Sequence, residues 1–447
     1  MYGGRKRLIS VPIDGSPGPV KLNGGRRVAA DSVQISPDGG RVVFVRSVPG
    51  DLVSVPIDDG TLKVKINDFG SVLPAFTQIS ADSGRVVYVA DQDTQDVFEL
   101  YSRPLDGSGP SVKLSGPLVS GGRIRTLKVA DSHVVYIADQ DTMGATELFS
   151  VPIDGSAPAV KLNGALASGG DVFEFEGQWN ISPDNRRVVY TADQDANGKM
   201  ELYGVAVDGS DTFVKLNGEL VSGGNVLTRA WQFSPDSRHV LYLADQDTNS
   251  FFELFSVPVD GKTPAVKLND AQVDRVYSAS VPISPDSSRV IYKGERRGAT
   301  IFSVAIDGST APIVLHDPFD PDGEYARSTH FTPDGLSVVY VLNRFPPSAH
   351  NRRWSVNVVP VDGGTPLELH EIFAPAPGFS FFDLRISPDG THAVYQMPDI
   401  PTPTTTMVLT WGGAALLCRR RRKRVGSKRG RLAAYAAKTA GELGALS

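Results

Sequence analysis

Apolar residues along the chain fall in short runs rich in Val, Ile, Tyr and Phe, such as VVF at 42–44, VVY at 86–88 and VLY at 240–242. A polar loop follows each run, and a second run then ends in a turn of the VPIDG type. Runs of four to six such residues predict strands buried on both faces. Ahead of the first run stands a Ser-Pro-Asp-Gly turn, whose Asp recurs at Asp38, Asp82, Asp131, Asp184, Asp236, Asp286, Asp334 and Asp389. The Asp of the second turn recurs half a repeat out of phase, at Asp14, Asp58, Asp106, Asp154, Asp208, Asp260, Asp307 and Asp362.

Each repeat, about 50 residues long, predicts four strands: one ending in ISPD, one such as 187–190, one such as 202–207 and a short VKL strand such as 214–216. The turn chemistry agrees. Pro presets φ, Asp bonds its own backbone and Gly accepts positive φ. The expected fold is therefore all-β, a β-propeller of four-stranded blades. The chain opens on third and fourth strands (8–23) and closes on first and second ones (381–395). This phase predicts eight blades, one of them shared between N- and C-terminal strands that pair to remove exposed edges. A seven-bladed ring with a loose strand pair is the alternative, and an N-terminally truncated reading frame would give the same phase. The propeller is expected over 1–400. Residues 401–447 form a Pro/Thr linker, a short apolar segment and a basic tail.

Composition changes this picture little: 447 residues with 45 Gly and 32 Pro supply a large core and many turns, and one Cys excludes an internal disulfide framework. Charge is divided unevenly. Residues 419–447 carry ten Lys and Arg and one Glu, net +9, which leaves −14 on residues 1–418 out of the total of −5. An acidic propeller argues against nucleic acid as its ligand, because phosphate contacts need Lys and Arg.

The stretches ISPDGGRVVF, ISPDNRRVVY, FSPDSRHVLY, ISPDSSRVIY, FTPDGLSVVY and ISPDGTHAVY resemble the WD-like propeller repeats of the TolB family. The resemblance spans residues 1 to about 397 and implies the fold; such propellers serve as periplasmic partners, enzyme gates and surface modules, so it implies no single function. Two departures matter. The α/β domain that precedes the propeller in TolB has no counterpart, and no G-x-S-x-G elbow marks the hydrolase domain of prolyl-oligopeptidase-like enzymes.

Strand alternation sends the SPDG and VPIDG turns to one face and the loops after VVY and VKL to the other, where binding residues are expected. Four blades repeat an ADQD loop there: Asp91, Gln92 and Asp93; Asp139, Gln140 and Asp141; Asp193, Gln194 and Asp195; Asp245, Gln246 and Asp247. Two readings stand. The carboxylates form Asx-type turns that end the strand, or they hold Ca²⁺, for which Asp193, Asp195, Asn197 and Gly198 have the alternate-residue spacing of a calcium loop. The recurring Glu99, Glu147, Glu201 and Glu253 either complete such a site or pair with an Arg. A second candidate is the insertion with Arg344, Phe345, His350, Arg352, Arg353 and Trp354, whose Arg and aromatic character suits a protein or glycan contact; drift of an irregular loop gives the same composition.

A metal-dependent lyase or lactonase in the central channel is the competing class, and a purely structural envelope repeat protein is the third. His133, His239 and His392 occupy a position that is Arg in other repeats, and the remaining histidines share no ligand spacing. Gln78, Asn180 and Gln232 are expected to line the channel, and Trp179 and Trp231 to pack between blades.

After the propeller, Pro401, Thr402 and Pro403 precede an apolar stretch (407–418) and the cluster Arg419–Arg424. Twelve apolar residues fall short of the about 20 a spanning helix needs. The order resembles C-terminal sorting signals of the PEP-CTERM type, although Pro-Thr-Pro replaces Pro-Glu-Pro and 23 residues follow the cluster. The resemblance implies an exported bacterial envelope or extracellular protein with membrane contact through 407–424, although MYGGRKRL leads into a strand and carries no export signal. A nucleic-acid-binding tail would use the same basic residues. The overall expectation is a non-enzymatic, monomeric scaffold that meets a protein or glycan through its loop face.

Overall fold

The structure, a computed structural model, describes residues 7–16, 18–269, 273, 276, 281–295, 299–316, 325–344, 352–374 and 382–396. The tail after 400, Phe345 and His350 lie outside these residues. Among those described, the regular structure is strand only.

Among the described residues, seven antiparallel sheets of three or four strands follow one another along the chain. The fourth shows the pattern, with strands Trp179–Ile181, Arg187–Ala192, Glu201–Ala206 and Val214–Lys215 hydrogen-bonded in chain order. We call these sheets blades one to seven; they span 34–65, 72–113, 124–161, 179–215, 226–267, 289–316 and 325–374. Among the described residues the sixth has three strands, and Val276 and Ile283 bridge to Gly294 and Val290 where its first strand would lie.

The two middle strands of each blade are buried because their residues are apolar on both faces, and neighbouring sheets cover them. Val135, Ile137 and Leu148 of blade three pack with Val188, Tyr190, Tyr203 and Val205 of blade four. The same layering joins blades two and three through Val89, Leu100, Tyr136 and Phe149. Successive four-stranded meanders packed face to face make a β-propeller. Aromatic pairs across the middle strands recur, as in Tyr190–Tyr203 and Tyr242–Phe255, with ring centroids 5.4 and 5.3 Å apart. Each such pair contributes about 0.5–1.5 kcal/mol beyond its area.

Turn residues stitch one blade to the next. Ser83, Ser237 and Ser287 follow the motif's Asp with φ of 60°, 63° and 62°, a region that disfavours L-residues. Their side chains offset that strain, for the Oγ atoms accept hydrogen bonds from the amides of Asp38, Asp184 and Asp236 in the preceding blade, at 3.0–3.1 Å. In the second turn Gly107 is needed twice over. Its φ is 73°, and a Cβ there would lie 2.2 Å from Val64 Cγ1 of blade one.

The chain ends form half-blades. Strands Ile9–Ser10 and Val20–Lys21 pair with each other, as do Phe382–Ile386 and Ala393–Gln396. The first pair packs Leu8, Val20 and Leu22 on blade one, and the second packs Leu384, Ile386 and Tyr395 on blade seven. They are two separate two-stranded sheets here, not the single hydrogen-bonded sheet that the phase of the repeat predicts.

Candidate functional site

The turns and loops segregate to opposite faces as strand alternation requires. On the tight-turn face, the amide of Leu105 in the second turn bonds Gly84 O in the first, and Ile153, Val207 and Val259 repeat the link. Asp82 accepts from Ser80 Oγ at 2.6 Å and from the Gly84 amide at 2.8 Å. The Ser80 hydroxyl and then that amide hold its carboxyl below the ordinary value. Ser284 and Thr332 do the same for Asp286 and Asp334.

On the loop face, the ADQD runs take one geometry in four blades. The first Asp ties its loop to the segment entering the same blade's first strand. Asp91 accepts from the Ser71 amide at 2.6 Å, Asp139 from Arg123 at 2.7 Å, Asp193 from Asp171 at 2.6 Å, and Asp245 from Asn225. In three of the four the second carboxylate oxygen closes the loop on itself, taking the amides of Asp96, Gly198 and Ser250. Asp139 instead takes Arg125 at 3.0 Å. Burial alone would raise its carboxyl, but the backbone amide of Arg123 and the Arg125 guanidinium together outweigh it and hold the carboxyl below the usual range.

The Gln of the motif accepts from the Tyr hydroxyl four residues earlier, at 3.3 Å for Tyr88, 2.9 Å for Tyr136, 3.3 Å for Tyr190 and 3.2 Å for Tyr242. It reaches over the preceding blade's VKLNG segment. A Cβ at Gly116, Gly164 or Gly218 would come within 2.9, 3.2 or 2.7 Å of the Nε2 of Gln140, Gln194 or Gln246.

The second Asp shares a lysine with the recurring Glu. Lys113 sits 3.5 Å from Asp93 and 2.5 Å from Glu99; Lys161 is 2.6 Å from both Asp141 and Glu147; Lys215 is 2.5 Å from Asp195 and 2.9 Å from Glu201. Lys267 joins Asp247 and Glu253 in the same way. The partner of each Glu is thus the Lys of the VKL strand and not an Arg. Burial lowers the proton affinity of Lys161, Lys215 and Lys267, but the bonds from both carboxylates outweigh it and leave each raised. The sequence carried a signal for these clamps, since the Lys follows the Glu by fourteen residues in all four blades.

The eight aspartates are therefore spread over four blades, each engaged with amides, an Arg or a Lys. Among the described residues no three His, Cys, Asp or Glu side chains gather as a metal ion would require. Asn197 lies in the turn of its own loop, and its amide would meet a Cβ at Gly169.

The second candidate changes shape. Strands Ser337–Arg344 and Arg352–Pro360 extend past the expected loop ends and pair Asn343 with Trp354 and Arg344 with Arg353. Trp354 is corrected from contact residue to core. It is 3% exposed and packs with Val339, Val341, Val356 and Leu384, because the longer hairpin carries its ring under the terminal half-blade.

Along the innermost strands of blades one, two, three and five, one polar side chain reaches the next blade. Gln34 donates to Thr77 O, Gln78 to Leu127 O at 3.2 Å while accepting from the Val129 amide at 3.0 Å, and Gln232 to Val281 O. Lys128 donates to Asn180 Oδ1 at 2.7 Å and lies 5.0 Å from the centre of the buried Trp179 ring. Desolvation lowers its proton affinity, with Glu176 opposing. Of this belt, Gln34 and Lys128 were not foreseen from the sequence.

Beside the half-exposed Asp–Lys ion pairs, the loop face exposes large apolar side chains. Val48, Phe69, Met143, Phe175 and Phe251, from the loops of blades one to five, are 43–78% exposed. Phe69 borders an open cleft of about 500 Å³ with Asp68, Gln92, Asp93, Ser111 and Lys113. Arg229, with φ of 65°, stacks its guanidinium 5.7 Å from the Phe175 ring centre.

No family model matches the chain, and no curated protein does. Among solved structures it is similar to an oligogalacturonate lyase in complex with manganese, at 10% identity over 70% of this chain and 88% of that one, TM-score 0.34. A putative TolB from Agrobacterium tumefaciens aligns at 14% identity over 86% and 95%, TM-score 0.24. TolB from Acinetobacter baumannii aligns at 12% over 77% and 80%, TM-score 0.28.

Proposed function

We propose that the protein is a binding scaffold whose loop face receives a protein partner. The observation that carries this reading is the arc of Val48, Phe69, Met143, Phe175 and Phe251, large apolar side chains exposed in the loops of five consecutive blades. Aromatic residues and Met are enriched at protein interfaces, where a desolvated apolar centre supplies most of the affinity. The carboxylates around them are already committed to amides and lysines, so the face is rigid and little ordering entropy is lost on binding. An envelope or extracellular location is part of the proposal and rests on the order of segments at 401–424.

The test places a photo-crosslinking amino acid at Phe69, Met143, Phe175 or Phe251 of the full chain in cells, and at Asp58 or Asp106 on the opposite face. A discrete adduct from the first set and none from the second is expected. Adducts that form equally from both faces, or from neither, overturn the proposal.

The second reading, a metal-dependent enzyme in the channel, has weaker support. Gln34, Gln78, Lys128 and Gln232 there are bonded to the next blade and serve as stitches.

A further inference from the structure

A strained arginine on the loop face carries an inference that rests on the partner reading and sharpens it. Arg229 lies in the first strand of blade five, Val226–Phe233, where the pairing register breaks between Val226 and Trp231. Its φ is 65°. Among the described residues, the other L-residues with positive φ are Asp, Asn or Ser in turns. An Arg inside a strand is held there against its own preference. The register break does not require it. In blade two, Val72–Ile79 has the same length and a break between Val72 and Thr77, and Ala75 stands at the place of Arg229 with negative φ.

Strain at a bulge persists where the surroundings aim a side chain. Here they are Phe175 and Gly177, on the way into blade four. The Arg229 guanidinium lies 5.7 Å from the centre of the Phe175 ring, itself 58% exposed. A Cβ at Gly177 would come 3.3 Å from both Cβ and Cγ of Arg229, so only glycine lets the stem lie this close. The carboxylates flanking Phe175 are engaged elsewhere, for Glu174 sits 3.7 Å from Arg125 and Glu176 acts on Lys128, both of blade three. Among the described residues no hydrogen bond or ion pair engages the Arg229 guanidinium. A planar cation fixed on a ring, with its N–H donors open, is a bidentate receptor for an oxyanion.

We propose that Arg229, held on Phe175, receives an Asp or Glu carboxylate of the protein partner and anchors that partner on the apolar arc. The charge of the propeller selects the carboxylate over a phosphate. Residues 1–418 carry −14, and Glu174 and Glu176 flank the ring, so a second negative charge on the ligand adds repulsion with no second free cation beside it. The stack also keeps the N–H edge of the guanidinium outward, so little side-chain entropy is left to lose on binding.

The test uses variants of the full chain. Arg229→Gly removes the strain together with the receptor, so it is expected to raise the melting temperature by about 1–3 °C, whereas loss of a packing residue would lower it. Exchanging chloride for succinate at constant ionic strength is expected to raise the melting temperature of the wild-type chain and to leave Arg229→Gly and Arg229→Gln unmoved. A photo-crosslinking amino acid at Met143 is expected to give about tenfold less adduct in Arg229→Gln than in the Arg229 chain. Arg229→Lys is expected to lose adduct too, because it keeps the charge but not the fork or the stack. A lower melting temperature for Arg229→Gly, or equal responses of wild type and Arg229→Gln to succinate, overturns the carboxylate site. Adduct undiminished in Arg229→Gln overturns the anchor while the partner reading stands. No adduct from the Arg229 chain, with a succinate response confined to it, overturns the partner reading and supports the carboxylate site. A larger response to phosphate than to succinate overturns the choice of carboxylate.

Discussion

Replacing Asp193 by Ala tests what the ADQD carboxylates do. The side chain is buried at 4% exposure, with Oδ1 2.6 Å from the Asp171 amide and Oδ2 2.8 Å from the Gly198 amide. Hydrogen bonds to a charged group contribute about 1.5–3 kcal/mol each, and the substitution leaves two amides without an acceptor. We expect a loss of about 3–5 kcal/mol. Asp193→Asn keeps one acceptor oxygen but sets an NH₂ against the other amide, so about half that loss is expected. Asp195 is a contrast two residues away. Its side chain is 47% exposed and pairs with Lys215, so Asp195→Ala should cost about 0.2–1 kcal/mol. Urea unfolding of the three variants, followed by tryptophan fluorescence, gives the ranking. It is repeated with EDTA and with millimolar Ca²⁺, because a ligand specific to the folded state adds stability by mass action. A loss below about 1 kcal/mol for Asp193→Ala would refute the turn-holding role. So would a Ca²⁺-dependent gain that both Ala variants abolish.

Acid stability should follow the tight-turn face. Asp38, Asp82, Asp286 and Asp334 have folded values below the ordinary 3.8, chiefly through Ser or Thr hydroxyl donors, and Asp389 is lowered to about 2. A lowered folded value means that the unfolded chain binds more protons, so this contribution is complete above about pH 5 and disappears between about pH 4 and pH 2. A melting temperature that rises on acidification through that window contradicts it. His133→Arg or His239→Arg should stabilise by about 0.5–1.5 kcal/mol. Arg41, Arg85 and Arg289 donate from Nε to Ser54, Ser102 and Ser303 at this position, whereas Ser150 and Ser256 in the His blades are buried without a hydrogen-bond partner; thermal unfolding above pH 7 reads the gain. Gly107→Ala should lose at least about 1 kcal/mol in urea unfolding, from positive φ together with the clash on Val64.

The repeat by itself determined the strands, the blade and the division of turns from loops. These rest on alternation and on bonds spanning two to five residues, such as Ser80 to Asp82 and Asp82 to Gly84, which every copy of the motif with a Ser or Thr two residues before its Asp makes wherever it sits. The closure of the ADQD loop on its first aspartate is local in the same way, as the bond from Gly198 to Asp193 spans five residues, whereas the bond from the Asp171 amide to Asp193 spans 22. The Lys clamps and the inner belt were decided by the tertiary structure. They join residues 14 to 52 apart, as Lys161 to Glu147 and Lys128 to Asn180, and only the stacking of strands and blades sets those distances. Burial of Trp354 also escaped the sequence. An Arg- and aromatic-rich segment reads as a surface loop until hairpin length and the neighbouring half-blade fix which side of the sheet its ring occupies. Turn chemistry is local and repeats with the motif; coverage by the next blade is not local, and packing alone assigns it.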